Sequence, residues 1–150
     1  MSLAKRLRRR GAALVEFAIT CPVLFLLIFA VIIGGMGIFR YQQTAALARE
    51  AARWASVHGH QYEEETGQPA ATAQDIYTKA IVPRSIGLNL SELTYAVRWD
   101  RTNEPLRVDS DAQTPVGNTV TVTVTYRWIP ELYLVGPFTL TSTSTAQMLY

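Results

Sequence analysis

Five cations, Lys5, Arg6, Arg8, Arg9 and Arg10, are followed by Gly11 and then by 28 residues, 12–39, that hold a single carboxylate, Glu16. A charged group in a membrane segment costs about 2.5–3.5 kcal/mol on insertion scales, so an acid kept there marks a functional site by default. The competing explanation is local. An acid in the first turn of a helix is favoured by the macrodipole and, near the interface, stays wet.

Other residues with ligand or nucleophile chemistry form weaker patterns. His58 and His60 precede Glu63, Glu64 and Glu65, but His-x-His followed by an acidic triplet matches no zinc spacing, and the segment reads as a solvated loop. Trp54, Trp99 and Trp128 lie on apolar faces, where aromatic rings are usually core. Ser, His and Asp occur without a nucleophile motif, a Gly-rich phosphate loop or paired catalytic carboxylates. No enzyme, no cofactor and no metal are expected.

The element that carries Glu16 must be long. At about 1.5 Å per residue, 28 helical residues reach roughly 42 Å, more than the roughly 30 Å hydrocarbon core; a secretory signal has an apolar region of only about 7–15 residues. Gly34, Gly35, Met36, Gly37, Ile38 and Phe39 lead directly into Arg40 and Tyr41, without an A-x-A cleavage site. The segment is therefore expected to span a membrane as an anchor. Cys21 lies inside the span behind Ala18-Ile19-Thr20, a poor lipoprotein signal, which argues against a lipid anchor.

Basic residues within about 15–20 positions of a membrane end stay cytoplasmic, so the head is expected inside and residues 40–150 outside. The head holds 5 of the 14 Lys and Arg residues, which leaves residues 11–150 with nine cations, 12 carboxylates and a formal charge of −3. Basicity thus belongs to the leader, and nucleic acid is not an expected partner. A lone thiol closes no intrachain disulfide, so the outer part must be stable without one. Its length suffices for one small core.

Past Phe39 the helical period continues: Tyr41, Ala45, Ala48, Ala52 and Ala55 fall on one stripe, and His58-Gly59 is a stop signal. One helix over about 12–57 would be roughly 69 Å long. Pro22 interrupts it and predicts a kink near 18–22, because proline removes a donor and crowds the carbonyl four residues back. The polar stretch 59–71 reads as a loop. Thr72 and Asp75 form a capping-box-like start for a short helix over 73–82, ended by Pro83, with Ile76, Ala80 and Tyr77 facing inward.

Three strands are expected. Leu93, Tyr95, Val97 and Trp99 alternate with Thr94, Ala96 and Arg98; Val120, Val122, Val124, Tyr126 and Trp128 alternate with Thr119, Thr121, Thr123, Thr125 and Arg127; 139–148 is a weaker Thr/Ser-rich third. Residues 102–118 and 129–137, with their Pro and Gly, read as connections. The fold class is α+β: a long N-terminal helix, membrane-spanning in its first half and amphipathic in its second, packed on a small antiparallel sheet of about three strands plus one short helix. The divisions are 1–11 leader, 12–39 span, 40–58 helix continuation and 59–150 outer domain. The strand order is not readable.

Gly11-Ala12-Ala13-Leu14-Val15-Glu16-Phe17, behind a basic head and opening a long apolar helix, resembles the processing site of type IV prepilins. The Ala-Leu-Val-Glu-Phe string, Cys21-Pro22, the extension from Tyr41-Gln42-Gln43 to Ala55, and the Val120–Tyr126 strand are similar to the TadE-like family of pseudopilins of tight-adherence (Flp) pilus systems. The resemblance implies cleavage between Gly11 and Ala12 by a membrane-embedded prepilin peptidase. It also gives Glu16 and Phe17 roles in processing and assembly, with the Ala12 ammonium of a neighbouring subunit as partner for Glu16. Its implied partners are the peptidase, other pseudopilins, the major Flp pilin, the inner-membrane platform and membrane lipid. The implied location is the bacterial inner membrane, single-pass, with the C-terminal domain extracytoplasmic or carried into the pilus. Glycine leaves an extended backbone unobstructed in a protease cleft, and a buried pair of opposite charges is tolerable where one carboxylate is costly.

The alternative is an uncleaved signal-anchored extracytoplasmic binding module, in which the helix is only a tether.

Overall fold

The structure is a computed structural model that describes residues 3–100, 106–108, 115–130 and 136–149. It comprises two compact units, Met1–Ile38 and Phe39–Tyr150.

The first unit is helical. Helix α1 runs from Leu3 to Ser56, beginning within the basic head and ending one residue short of the expected stop. It is long and apolar enough to cross a membrane, and none of its most apolar window is buried. Residues 13–32 are exposed, Cys21 excepted, which is half-buried. Such an exposed apolar surface is compatible with single-pass membrane anchoring. Pro22 lies inside α1, which is helical on both sides of it.

In the second unit α1 changes surroundings. Ala48, Ala51, Ala52 and Ala55 are fully or almost fully buried, joined by Thr44, Ala45, Leu47 and Ser56. Alanine lets a neighbouring layer approach closely and costs no side-chain entropy. The buried face is therefore wider than the expected stripe. Tyr41 leaves it: it is 49% exposed, beside exposed Phe39 and just beyond the apolar run, where aromatic side chains favour the membrane interface. Thr44 turns its hydroxyl back onto the Arg40 carbonyl at 3.0 Å, which satisfies a buried polar group within the helix.

Residues 60–66 correct the loop expected over 59–71. They form helix α2, His60–Thr66, closed by Gly67 at φ 71°, whose N–H donates to the Glu63 carbonyl. His60 lies 3.6 Å from Glu63 and 3.7 Å from Glu64, and Gln61 bonds Glu65, so the acidic run supports a helix through i,i+3 and i,i+4 neighbours.

The short helix begins at Thr72 as expected. Helix α3, Ala73–Asp75, carries a complete capping box and continues as a π-helical turn over Ile76–Ile81 and a 3₁₀ turn over Val82–Arg84. The widening precedes Pro83, which has no N–H to give the Lys79 carbonyl in an α ladder. Ile76 and Ala80 are fully buried, and Tyr77 stacks on Tyr95 at 4.7 Å.

Strands β1 (Leu93–Trp99), β4 (Thr119–Trp128) and β5 (Phe138–Gln147) form the expected antiparallel sheet, in the order β1-β4-β5. Its inner face is set by the two-residue period: Val120, Val122 and Val124 are fully buried, each contributing about 1.5–3 kcal/mol of hydrophobic stabilisation. On the outer face the Oγ1 atoms of Thr121 and Thr145, Thr123 and Thr143, and Thr125 and Thr141 pair at 3.0, 3.0 and 3.2 Å. The segment expected as a connection over 102–118 contains a second ladder, β2 (Leu106–Val108) with β3 (Pro115–Gly117). Residues 102–105, 109–114 and 131–135 of the two connections lie outside the described residues.

Candidate functional site

The residues expected to carry function, Gly11, Ala12, Glu16, Phe17 and Pro22, all lie on the first part of α1. The side chains of the leader cations and of Ala12 are outside the described residues. Gly11 is exposed, with nothing within 4 Å of the position a Cβ would take. Glu16 and Phe17 are exposed as well.

Helix geometry relates two of these positions. Ala12 and Glu16 are four residues apart, so they share one face and are separated by about one turn, roughly 6 Å of rise. Side chains on a helix lean toward its N-terminus, which aims the Glu16 carboxylate back toward the level of Ala12. Phe17 points elsewhere, one helical step of about 100° away.

The Gly11–Ala12 peptide lies within the helix, whereas a protease needs an extended strand in its cleft. Glycine lowers the cost of that unwinding, since it is about 1 kcal/mol less favourable than alanine in a helix interior.

The His/Glu segment is arranged differently from a metal site. The Nδ1 of His58 lies 2.8 Å from the Trp54 carbonyl, and its ring stacks on Trp54 at 4.0 Å and against Tyr62 at 4.7 Å. His60 turns instead to Glu63 and Glu64. Among the described residues no group of three or more His, Cys, Asp or Glu side chains is placed to hold a metal ion.

Beside His58 is a cavity of about 250 Å³ whose lining includes Trp54, Gln68, Asp75 and Lys79. It is smaller than the usual ligand pocket of about 300–1,000 Å³. Its charged groups are committed: Asp75 accepts from the Thr72 hydroxyl and backbone N–H and lies 3.5 Å from Lys79, whose ammonium sits 6.0 Å from the Trp54 ring centroid. Those hydrogen bonds from Thr72, with the Lys79 charge, hold the Asp75 carboxyl below its ordinary range.

The TadE-like protein family model matches residues 11–53, beginning at Gly11 and including Glu16, Phe17, Pro22 and most of the alanine face of α1. The resemblance read from the residues is thus met by the family match. No curated protein and no solved structure matches the chain.

Proposed function

From its TadE-like N-terminal segment, we propose that the chain is a bitopic pseudopilin-type component of a tight-adherence pilus assembly system, inserted with its basic head cytoplasmic and cleaved after Gly11. The observation that carries this reading is a coincidence of position. The family match starts at Gly11, directly behind five cations, and the span's single carboxylate follows five residues later.

Cleavage would remove the leader charges and leave an ammonium at Ala12, one turn from Glu16. The pair makes the carboxylate tolerable at the edge of the apolar layer. Each copy could satisfy it internally while alone in the membrane and exchange it for a neighbour's amine on assembly, so Glu16 would set the register between helices. The work of the protein is then packing and docking, with the prepilin peptidase, other pseudopilins, the major pilin and the membrane platform as partners.

N-terminal sequencing of protein extracted from membranes of a host with an active prepilin peptidase tests the reading. Ala12 at the terminus supports it; Met1 or Ser2 removes it. The second result would favour an uncleaved tether for an outer binding module, an alternative that has one observation in its favour: the Gly11–Ala12 peptide sits inside a continuous helix.

A further inference from the structure

The outer domain has two ends, which its contacts distinguish. The Leu149 N–H donates to the Ser56 carbonyl at 2.8 Å, so the last residues of the chain meet the C-terminal end of α1. At the other end, Arg40 donates to the Gly87 carbonyl at 2.7 Å and Gln43 to the Ile86 carbonyl at 3.3 Å, which fastens the 85–90 turn to the start of the domain's helix. That turn leads through Leu90 into β1, whose first residue, Leu93, pairs with Tyr126 near the end of β4, and Trp128 pairs with Phe138 at the start of β5. From Ser56 to Arg40 is about 24 Å along the helix, and from Leu149 to Phe138 about 36 Å along the strand. Arg40, Ile86, Leu90, Ile129 and Phe138 therefore share one end.

Large apolar side chains left exposed on the domain gather at that end. Among the described residues they are Phe39, Tyr41, Ile86, Leu90, Ile129 and Phe138, with Leu149 alone at the far end. Ile86 is the extreme case at 79% exposed, on a turn, 85–91, that contains no charged residue. The turn needs Gly87 at φ 75°, and this backbone positions the Gly87 carbonyl for Arg40. Next to this turn and to Ile129, Arg127 and Glu92 compensate each other as an ion pair at 3.3 Å.

Arg40 is the first charged residue after the apolar run, which puts its level at the membrane–water boundary. We propose that the Arg40 end of the domain is a lipid-contact surface: Ile86, with Leu90, Ile129 and Phe138, is seated at the headgroup–acyl boundary of the bilayer that α1 crosses. Apolar side chains on a peripheral surface reach about 5–10 Å into that layer. Extraction into a filament would then expose these side chains for packing against other subunits. The inference rests on the membrane reading of residues 12–39 and is independent of cleavage.

Spin labels on the full chain test it, in a Cys21→Ser background reconstituted in phosphatidylcholine vesicles. Labels are placed singly through Phe29→Cys, Ile86→Cys and Leu149→Cys, with circular dichroism confirming the fold of each. Collisions with an aqueous nickel chelate are expected to be several-fold rarer at position 86 than at position 149, and rarest at position 29. Protection must persist on dilution with lipid. Equal nickel access at 86 and 149, with 29 protected, overturns the lipid contact and leaves the membrane span standing. Protection at 86 that vanishes on dilution also overturns it, because a second copy then covers the surface. Nickel access at 29 equal to that at 149 removes the span, and the proposal with it.

Discussion

At the scale of single residues, Glu16 and Asp75 are two carboxylates held in different ways. Glu16 faces outward from an apolar helix, and its proposed counter-charge exists only after proteolysis. Glu16→Ala is expected to leave membrane insertion intact, since it removes an insertion cost of about 2.5–3.5 kcal/mol. Piliation and adherence of the mutant should fall; normal piliation would refute the register role. Asp75 is held by Thr72 within the domain. Its folded pKa is lowered, so its contribution to stability is present above the ordinary carboxylate value of 3.8 and is lost as pH falls through the folded value. Melting temperatures of wild type and Asp75→Asn should differ at pH 7, and the difference should shrink as pH falls below the ordinary carboxylate value. Thr72→Ala should cost about 1 kcal/mol at neutral pH, the usual effect of losing an N-cap.

At the scale of elements, two sides of one helix can be compared directly. Ala48 has no exposed surface, whereas Ala46, two positions earlier, is exposed. Ala48→Leu is expected to destabilise the domain by about 1–3 kcal/mol through overpacking, and Ala46→Leu to change its urea midpoint little. This alanine face was legible because a 3.6-residue period survives the change from lipid to protein surroundings. Strand β4 was equally plain, since Val120–Tyr126 alternates without a break, whereas the Thr/Ser-rich β5 was a weaker signal and the short β2–β3 ladder read as a connection. The His60–Thr66 helix was hidden by its composition: the Glu triplet reads as a solvated loop, and only the spacing of His60 to Glu64 and the position of Gly67 hint at a turn of helix. Tyr41 fits the helical period and still faces out, because periodicity assigns a face without saying how far along the helix its partner layer extends. The order β1-β4-β5 depends on which strand crosses over which, and local sequence carries no record of that. Of the candidate site, Gly11 and Glu16 were readable as charge and spacing against an apolar background, while the lipid-facing end depends on residues drawn from three separated segments.

For the whole molecule, charge is divided between a leader and everything else. Processing after Gly11 would convert a chain of formal charge +2 into one of −3, with five cations left in the leader peptide. Intact-mass measurement on protein from a host with and without prepilin peptidase should show a loss equal to residues 1–11 only when the peptidase is present. The same mass in both hosts would identify the chain as an uncleaved anchor. Either product keeps Phe39–Tyr150 as a compact unit, so removal of the leader should leave the melting of that domain unchanged.

The paired threonines of β4 and β5 have a bearing on how this face meets a changing medium. Their six hydroxyls hold one another across the strands, and none of them gains or loses a proton at any pH a bacterium meets. That strip of hydroxyls consequently keeps the same wetting in brine, acid or fresh water, whatever happens to the charges of Arg98 and Arg127 beside it.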